Sequence, residues 1–151
     1  MDLRAELMPP LVSRARLDEV CGDILRIADL VRLRDAGADQ EIRAFNARTG
    51  HDCSALDFVE YEGSRDLAAF ALEVARPAWP RVADISTDEL VEIVRRILDG
   101  DPETDYYLRL LGANVVHPRG GGLIFHPPAG LRGASAELIV AEALGYRPFA
   151  L

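Results

Sequence analysis

Three histidines, two cysteines and a set of serines and carboxylates are the groups in this 151-residue sequence whose types permit chemistry. His51, Asp52 and Ser54 are neighbours in the chain. A Ser-His-Asp triad is assembled from separate segments, so that an ordered base faces an exposed nucleophile, and nothing here marks that arrangement. His51, His117 and His126 with Cys21 and Cys53 show no HxxxH or CxxC spacing of the kind that gathers metal ligands. The run RGGGLIF, Arg119 to Phe125, lacks the GK[ST] that sets a lysine on phosphate and a hydroxyl on magnesium. It reads as a turn. The expectation is a protein with no catalytic residue, no metal and no other cofactor. Cys21 and Cys53 read as reduced core residues, and His117 before Pro118 as a helix-ending residue whose ring caps or packs.

Charge narrows the partner. The formal net charge is -8, and all 17 basic residues are arginine. Phosphate binding needs clustered cations, so nucleic acid is a poor partner; a basic protein would be attracted and steered by this field. Hydrophobic residues make up 49% of the chain, enough for a core and too many for disorder. No apolar run approaches the ~20 residues of a membrane span, and MDLRAELMPP lacks the layout of a secretory signal. The sequence therefore predicts a soluble, cytoplasmic protein with no membrane partner.

The elements that would position these groups are helical. Leu17, Val20, Ile24, Ile27 and Val31 mark a long amphipathic helix, and Ile42 with Phe45 a second, ending near Thr49-Gly50-His51. SALDFVEY is short and apolar-aromatic, and Leu67, Phe70, Ala71 and Val74 mark a fourth element before Arg76-Pro77. Past the proline-rich stretch Arg76 to Asp84 the plan recurs. Ser86 and Glu89 have capping-box spacing ahead of Leu90, Ile93, Val94 and Ile97. Leu108, Leu111 and Val115 mark the next helix, stopped by His117-Pro118. A short aromatic piece follows, and Ser135 caps a last helix carrying Leu138, Ala141 and Leu144. Each half reads long helix, helix ending in a histidine, short aromatic element, helix, Arg-Pro. That is an internal repeat. The predicted fold is all-α, two tandem four-helix bundles over residues 1–78 and 82–151.

Three pieces of the second half carry a resemblance to the colicin/pyocin immunity proteins, over Ile85 to about Tyr146. ISTDELVEIVRRILDGD resembles the family's first helix, with its Ser/Thr and acidic cap. His117-Pro118 followed by GLIFHP resembles the family's His-Pro turn and short third helix, D-L-I-Y-Y-P. ASAELIVAEAL resembles the fourth helix. The first half is similar more loosely: Thr49-Gly50-His51 matches the histidine turn, and Asp57-Phe58-Val59-Glu60-Tyr61 the D-L-I-Y-Y stretch.

The resemblance implies a bundle that binds the basic nuclease domain of a bacteriocin-type toxin beside its active site, aromatic residues anchoring the contact and acids steering it. By position, the family's tyrosine pair falls on Phe125 and His126, while two family acids fall on Gly112 and Gly122. Asp101, Glu103, Asp105 and Tyr106 stand near the same face. Asp57, Glu60 and Tyr61 are the first-half counterparts. The expected function is stoichiometric inhibition of a nuclease toxin, without chemistry of its own. Two alternatives remain: a helical interaction or regulatory module that kept this fold without inhibiting a nuclease, and an acyl-carrier-like protein. For the last, DCSALDFVEY is similar to the Asp-Ser-Leu whose serine carries phosphopantetheine, with Cys53 and Ala55 interrupting it.

Overall fold

The hydroxyl of Ser13, accepting from the Arg16 amide at 3.1 Å, opens the first long helix. It does so by satisfying one of the amides that a helix start leaves without a partner. A computed structural model describes residues 2–64, 66–115, 122–125, 130 and 132–145, without the side chains of 61–64 and 125. All regular structure among them is helical. The chain divides into two compact units, residues 10–78 and residues 1–9 with 79–151.

In the unit of residues 10–78, α1 (Arg14–Arg32) packs against α2 (Ala38–Thr49), α3 (Ala55–Ser64) and α4 (Leu67–Ala75). The stripe expected on α1 is the one that turns inward, with Val20, Ile24 and Ile27 buried and Leu17 and Val31 at its margins. Each of the other helices sends in one phenylalanine. Phe45 and Phe58 meet edge to face with ring centroids 5.2 Å apart, and Phe70 lies 5.7 Å beyond Phe58. Such aromatic contacts add ~0.5–1.5 kcal/mol each beyond the area they bury. Gly50 closes α2 at φ 76°, a left-handed conformation that favours glycine. Asp66 caps α4 through the Ala69 amide at 2.7 Å, and Pro77 prevents the helix from continuing.

In the other unit, α5 (Thr87–Leu98) packs against α6 (Thr104–Asn114) and α8 (Ala136–Gly145), and α8 meets the short α7 (Gly122–Phe125). The expected capping box is present: Glu89 N–H donates to Ser86 Oγ at 3.1 Å, and Ser86 N–H to Glu89 Oε1 at 2.9 Å. Leu90, Ile93, Val94 and Ile97 are all buried, as their spacing predicts.

Two helical faces differ from the sequence reading. On α6 the buried side centres on Tyr106, Tyr107, Leu110 and Leu111, with Leu108 and Val115 only at its edge. On α8 the expected stripe of Leu138, Ala141 and Leu144 points to solvent, Leu138 being 57% exposed; Ala136, Ile139, Val140 and Ala143 face the core. The reason is that α8 is apolar nearly all round. Both sets fit helical spacing, and the set with two β-branched residues packs inward.

The second difference concerns the chain's beginning. Residues 1–9, which the sequence reading groups with the first half, belong to the unit of residues 79–151, where Leu3 and Leu7 join the core. The junction near the other end falls between Ala78 and Trp79, inside the proline-rich stretch.

Candidate functional site

The turn from α5 to α6 gathers the acidic residues singled out in the second half. Gly100, at φ 74°, ends α5, and the chain reverses through Asp101 to Glu103. Asp101 Oδ1 accepts the Glu103 amide at 2.8 Å, and its backbone oxygen accepts the Thr104 hydroxyl, so this carboxylate shapes the start of α6. Asp101 and Glu103 are half-buried, whereas Asp99 and Asp105 are exposed. Four carboxylates thus crowd the first turn of α6 and its approach, where the helix dipole favours negative charge.

Tyr106 is only 6% exposed, so its ring packs the core instead of standing out as an anchor. Tyr107 is buried beside it. Its hydroxyl accepts from Arg96 Nη1 at 2.9 Å, while Arg96 Nε donates to Glu92 Oε2 at 2.9 Å. The Glu92 carboxylate and the Tyr107 hydroxyl hold the Arg96 guanidinium above its ordinary pKa. Leu123 is buried on α7. The Phe125 side chain and all of His126 lie outside the described residues, as do His117 and Pro118.

In the first unit, Asp57 and Glu60 share α3. Asp57 Oδ2 accepts the Ser54 amide at 2.8 Å and the Ser54 hydroxyl at 3.3 Å, so this acid also caps its own helix. Glu60 is exposed, and Leu56, one turn before it, is 59% exposed. Residues four apart share a helix face, so α3 shows solvent an apolar and an acidic side chain together. Sequence reasoning passed over Leu56 because one leucine in an apolar-aromatic segment reads as core. Tyr61 continues α3, its side chain outside the described residues.

His51 is buried, with Nε2 2.7 Å from the Arg76 carbonyl oxygen, which makes Nε2 the protonated nitrogen. Asn46 bonds both backbone groups of Cys53 at 2.9 Å. Histidine, cysteine and serine here serve the turn from α2 to α3. Among the described residues no group of three or more His, Cys, Asp or Glu side chains gathers as a metal site, and no helix is long and apolar enough to cross a membrane.

One further feature had no sequence signal beyond the rarity of its residue. Trp79, the only tryptophan, is 66% exposed beside a cavity of about 250 Å³ lined also by Arg81, Val82, Ile85 and Asn114. Asn114 fixes this loop, accepting the Val82 amide at 2.8 Å and donating to the Pro80 carbonyl at 3.0 Å.

The described residues therefore define an all-helical protein of two units, with carboxylates set at helix starts and on exposed helix faces. More particularly, residues 82–148 match the family model of the colicin immunity protein / pyocin immunity protein. The match includes the whole stretch, Ile85 to Tyr146, over which the three motifs resemble that family. The first half lies outside it. Comparison with curated proteins and with solved structures gives no match.

Proposed function

We propose that this chain is a bacteriocin immunity protein that binds a nuclease-type toxin stoichiometrically and inhibits it. The observation that carries this reading is the family match over residues 82–148. The acidic turn into α6 adds to it: Asp101, Glu103 and Asp105 supply the negative field that steers a basic nuclease domain onto the second unit. Phe125 and His126 take the anchoring positions. Tyr106, being buried, supports the face from behind. Asp57, Glu60 and Tyr61 form the corresponding face on α3, with Leu56 as its exposed apolar member. The toxin does the chemistry, and this protein blocks it.

Titration of the purified chain against the cognate nuclease domain tests the proposal. The expected result is a sharp 1:1 endpoint at which cleavage of DNA or RNA stops. No complex and undiminished cleavage would overturn it.

A second reading is favoured by one observation: Gly112 and Gly122 stand where the family places acids. In that reading the chain is a helical interaction module that no longer inhibits a nuclease, and Gly112→Glu leaves toxin affinity unchanged. Under the immunity reading the same substitution changes it.

A further inference from the structure

Leu3 and Leu7 stand four residues apart in the segment LRAEL, ahead of the unit of residues 10–78 in sequence but assigned to the other unit. Ala5–Leu7 forms a single 3-10 turn. Leu7 is fully buried and Leu3 nearly so, both in the core of the unit that otherwise begins at Trp79. Arg4, between them, donates from Nη1 and Nη2 to the two carboxylate oxygens of Asp84, each at 2.9 Å. Its Nε also lies 3.0 Å from Glu89 Oε2. Four residues on, Met8 Sδ lies 3.6 Å from Arg96 Nη1.

Glu89 is in the first turn of α5 and Arg96 in its last. Seven residues of helix span ~10 Å, a distance that four residues of partly wound chain can cover. The segment therefore runs parallel to α5 and is fixed at both of its ends. Arg96 at the far end is the residue that holds the Tyr107 hydroxyl on α6. None of this segment lies within the family match, which starts at residue 82.

We infer that the side of α5 bearing Glu89 and Arg96 is a binding surface whose ligand is this chain's own residues 2–8, an intrachain clasp that completes the second unit and steadies the α5–α6 corner bearing Asp101, Glu103 and Asp105. The ligand chemistry is specific: two apolar side chains four apart, seated in the core, with a guanidinium between them on Asp84 and Glu89. The family-matching segment is then not self-sufficient in this protein. The inference stands whether or not the partner is a nuclease.

The test uses the full chain with a protease site inserted after Leu11, which is 99% exposed. After cutting, the clasp peptide is removed in denaturant and the remainder refolded. Hydrogen exchange is then read across both units. Without the peptide, amides of residues 87–98 and 104–114 are expected to exchange roughly tenfold faster or more, with those of 14–32 and 38–49 unchanged. A synthetic peptide of residues 1–11 restores protection, and the same peptide with Leu7→Asp does not. In the uncut chain Leu7→Ala gives the same pattern. Unchanged exchange in α5 and α6 on losing the peptide, or an equal rise in α1, overturns the inference.

Discussion

The imidazole Nε2 of His51 donates to the carbonyl oxygen of Arg76 at 2.7 Å, joining the end of α2 to the end of α4. The pairing explains why a histidine after α2 and an Arg-Pro after α4 accompany each other in the first half. Pro77 stops the helix, which leaves the Arg76 carbonyl in need of a donor. His51→Ala removes that donor from a buried site and is expected to lower stability by ~1–3 kcal/mol. Guanidinium unfolding followed by circular dichroism measures this, and an unshifted midpoint would show that the bond closes nothing.

Asn114 has a comparable role in the second unit, where one side chain bonds Val82, Pro80 and Leu110. Asn114→Ala frees the loop that carries Trp79. The expected outcome is ~1–3 kcal/mol of lost stability together with lower Trp79 fluorescence anisotropy. Anisotropy equal to that of the native chain would contradict the role assigned to Asn114.

Gly112 lies within α6, and a β-carbon there meets nothing within 4 Å. Gly112→Glu should therefore fold normally and gain up to ~1 kcal/mol from helix propensity alone. Under the immunity proposal it also alters nuclease affinity, by adding an acid at the position to which the family resemblance assigns one. Calorimetric titration of both proteins separates the two effects, since stability rises in either case and affinity only in one.

Glu60 is exposed on α3, so reversing its charge leaves the packing of Phe58 intact. Glu60→Lys is expected to slow association with a basic nuclease and to flatten its salt dependence, with unfolding unchanged within ~0.5 kcal/mol. Stopped-flow binding at two ionic strengths reads this directly. Identical rates would remove α3 from the proposed interface.

Acid should weaken the second unit. Hydrogen bonding and attraction from Arg4 hold the Asp84 carboxyl below its ordinary value, and the helix-start amide of Glu137, then Arg95, does the same for Glu137. A lowered carboxylate pKa contributes stability above the unfolded value, which is lost as pH falls through the folded one. The decline is expected below about pH 4–4.5. Both groups are exposed, so the effect is small and screened by salt. In Asp84→Asn the denaturation midpoint should fall less steeply between about pH 5 and pH 3 than in the native chain.

Much of the helical plan could be read from spacing alone. Ser86 with Glu89, and the stripe from Leu17 to Val31, combine a local start signal with an apolar face wide enough to admit one orientation. Where a helix is apolar on every side, spacing loses its meaning, and α8 presents Leu138 outward for that reason. Function was harder to read from residue type. Asp57 and Asp101 have the charge of contact residues, yet each bonds a backbone amide near its own helix start. Tyr106 has the ring of an anchor but is committed to the core. The clasp was least legible, because LRAEL carries no mark of the distant unit it joins.

That separation in sequence has a consequence for the order of events during synthesis. Residues 2–8 are made before the α5 surface that receives them, whereas α1 to α4 form one uninterrupted stretch that can fold as it emerges. The segment can seat on α5 only after about ninety further residues have been added, and the core it joins is complete only once α8 has been made, so closure of the second unit reports that the chain has been translated through both halves.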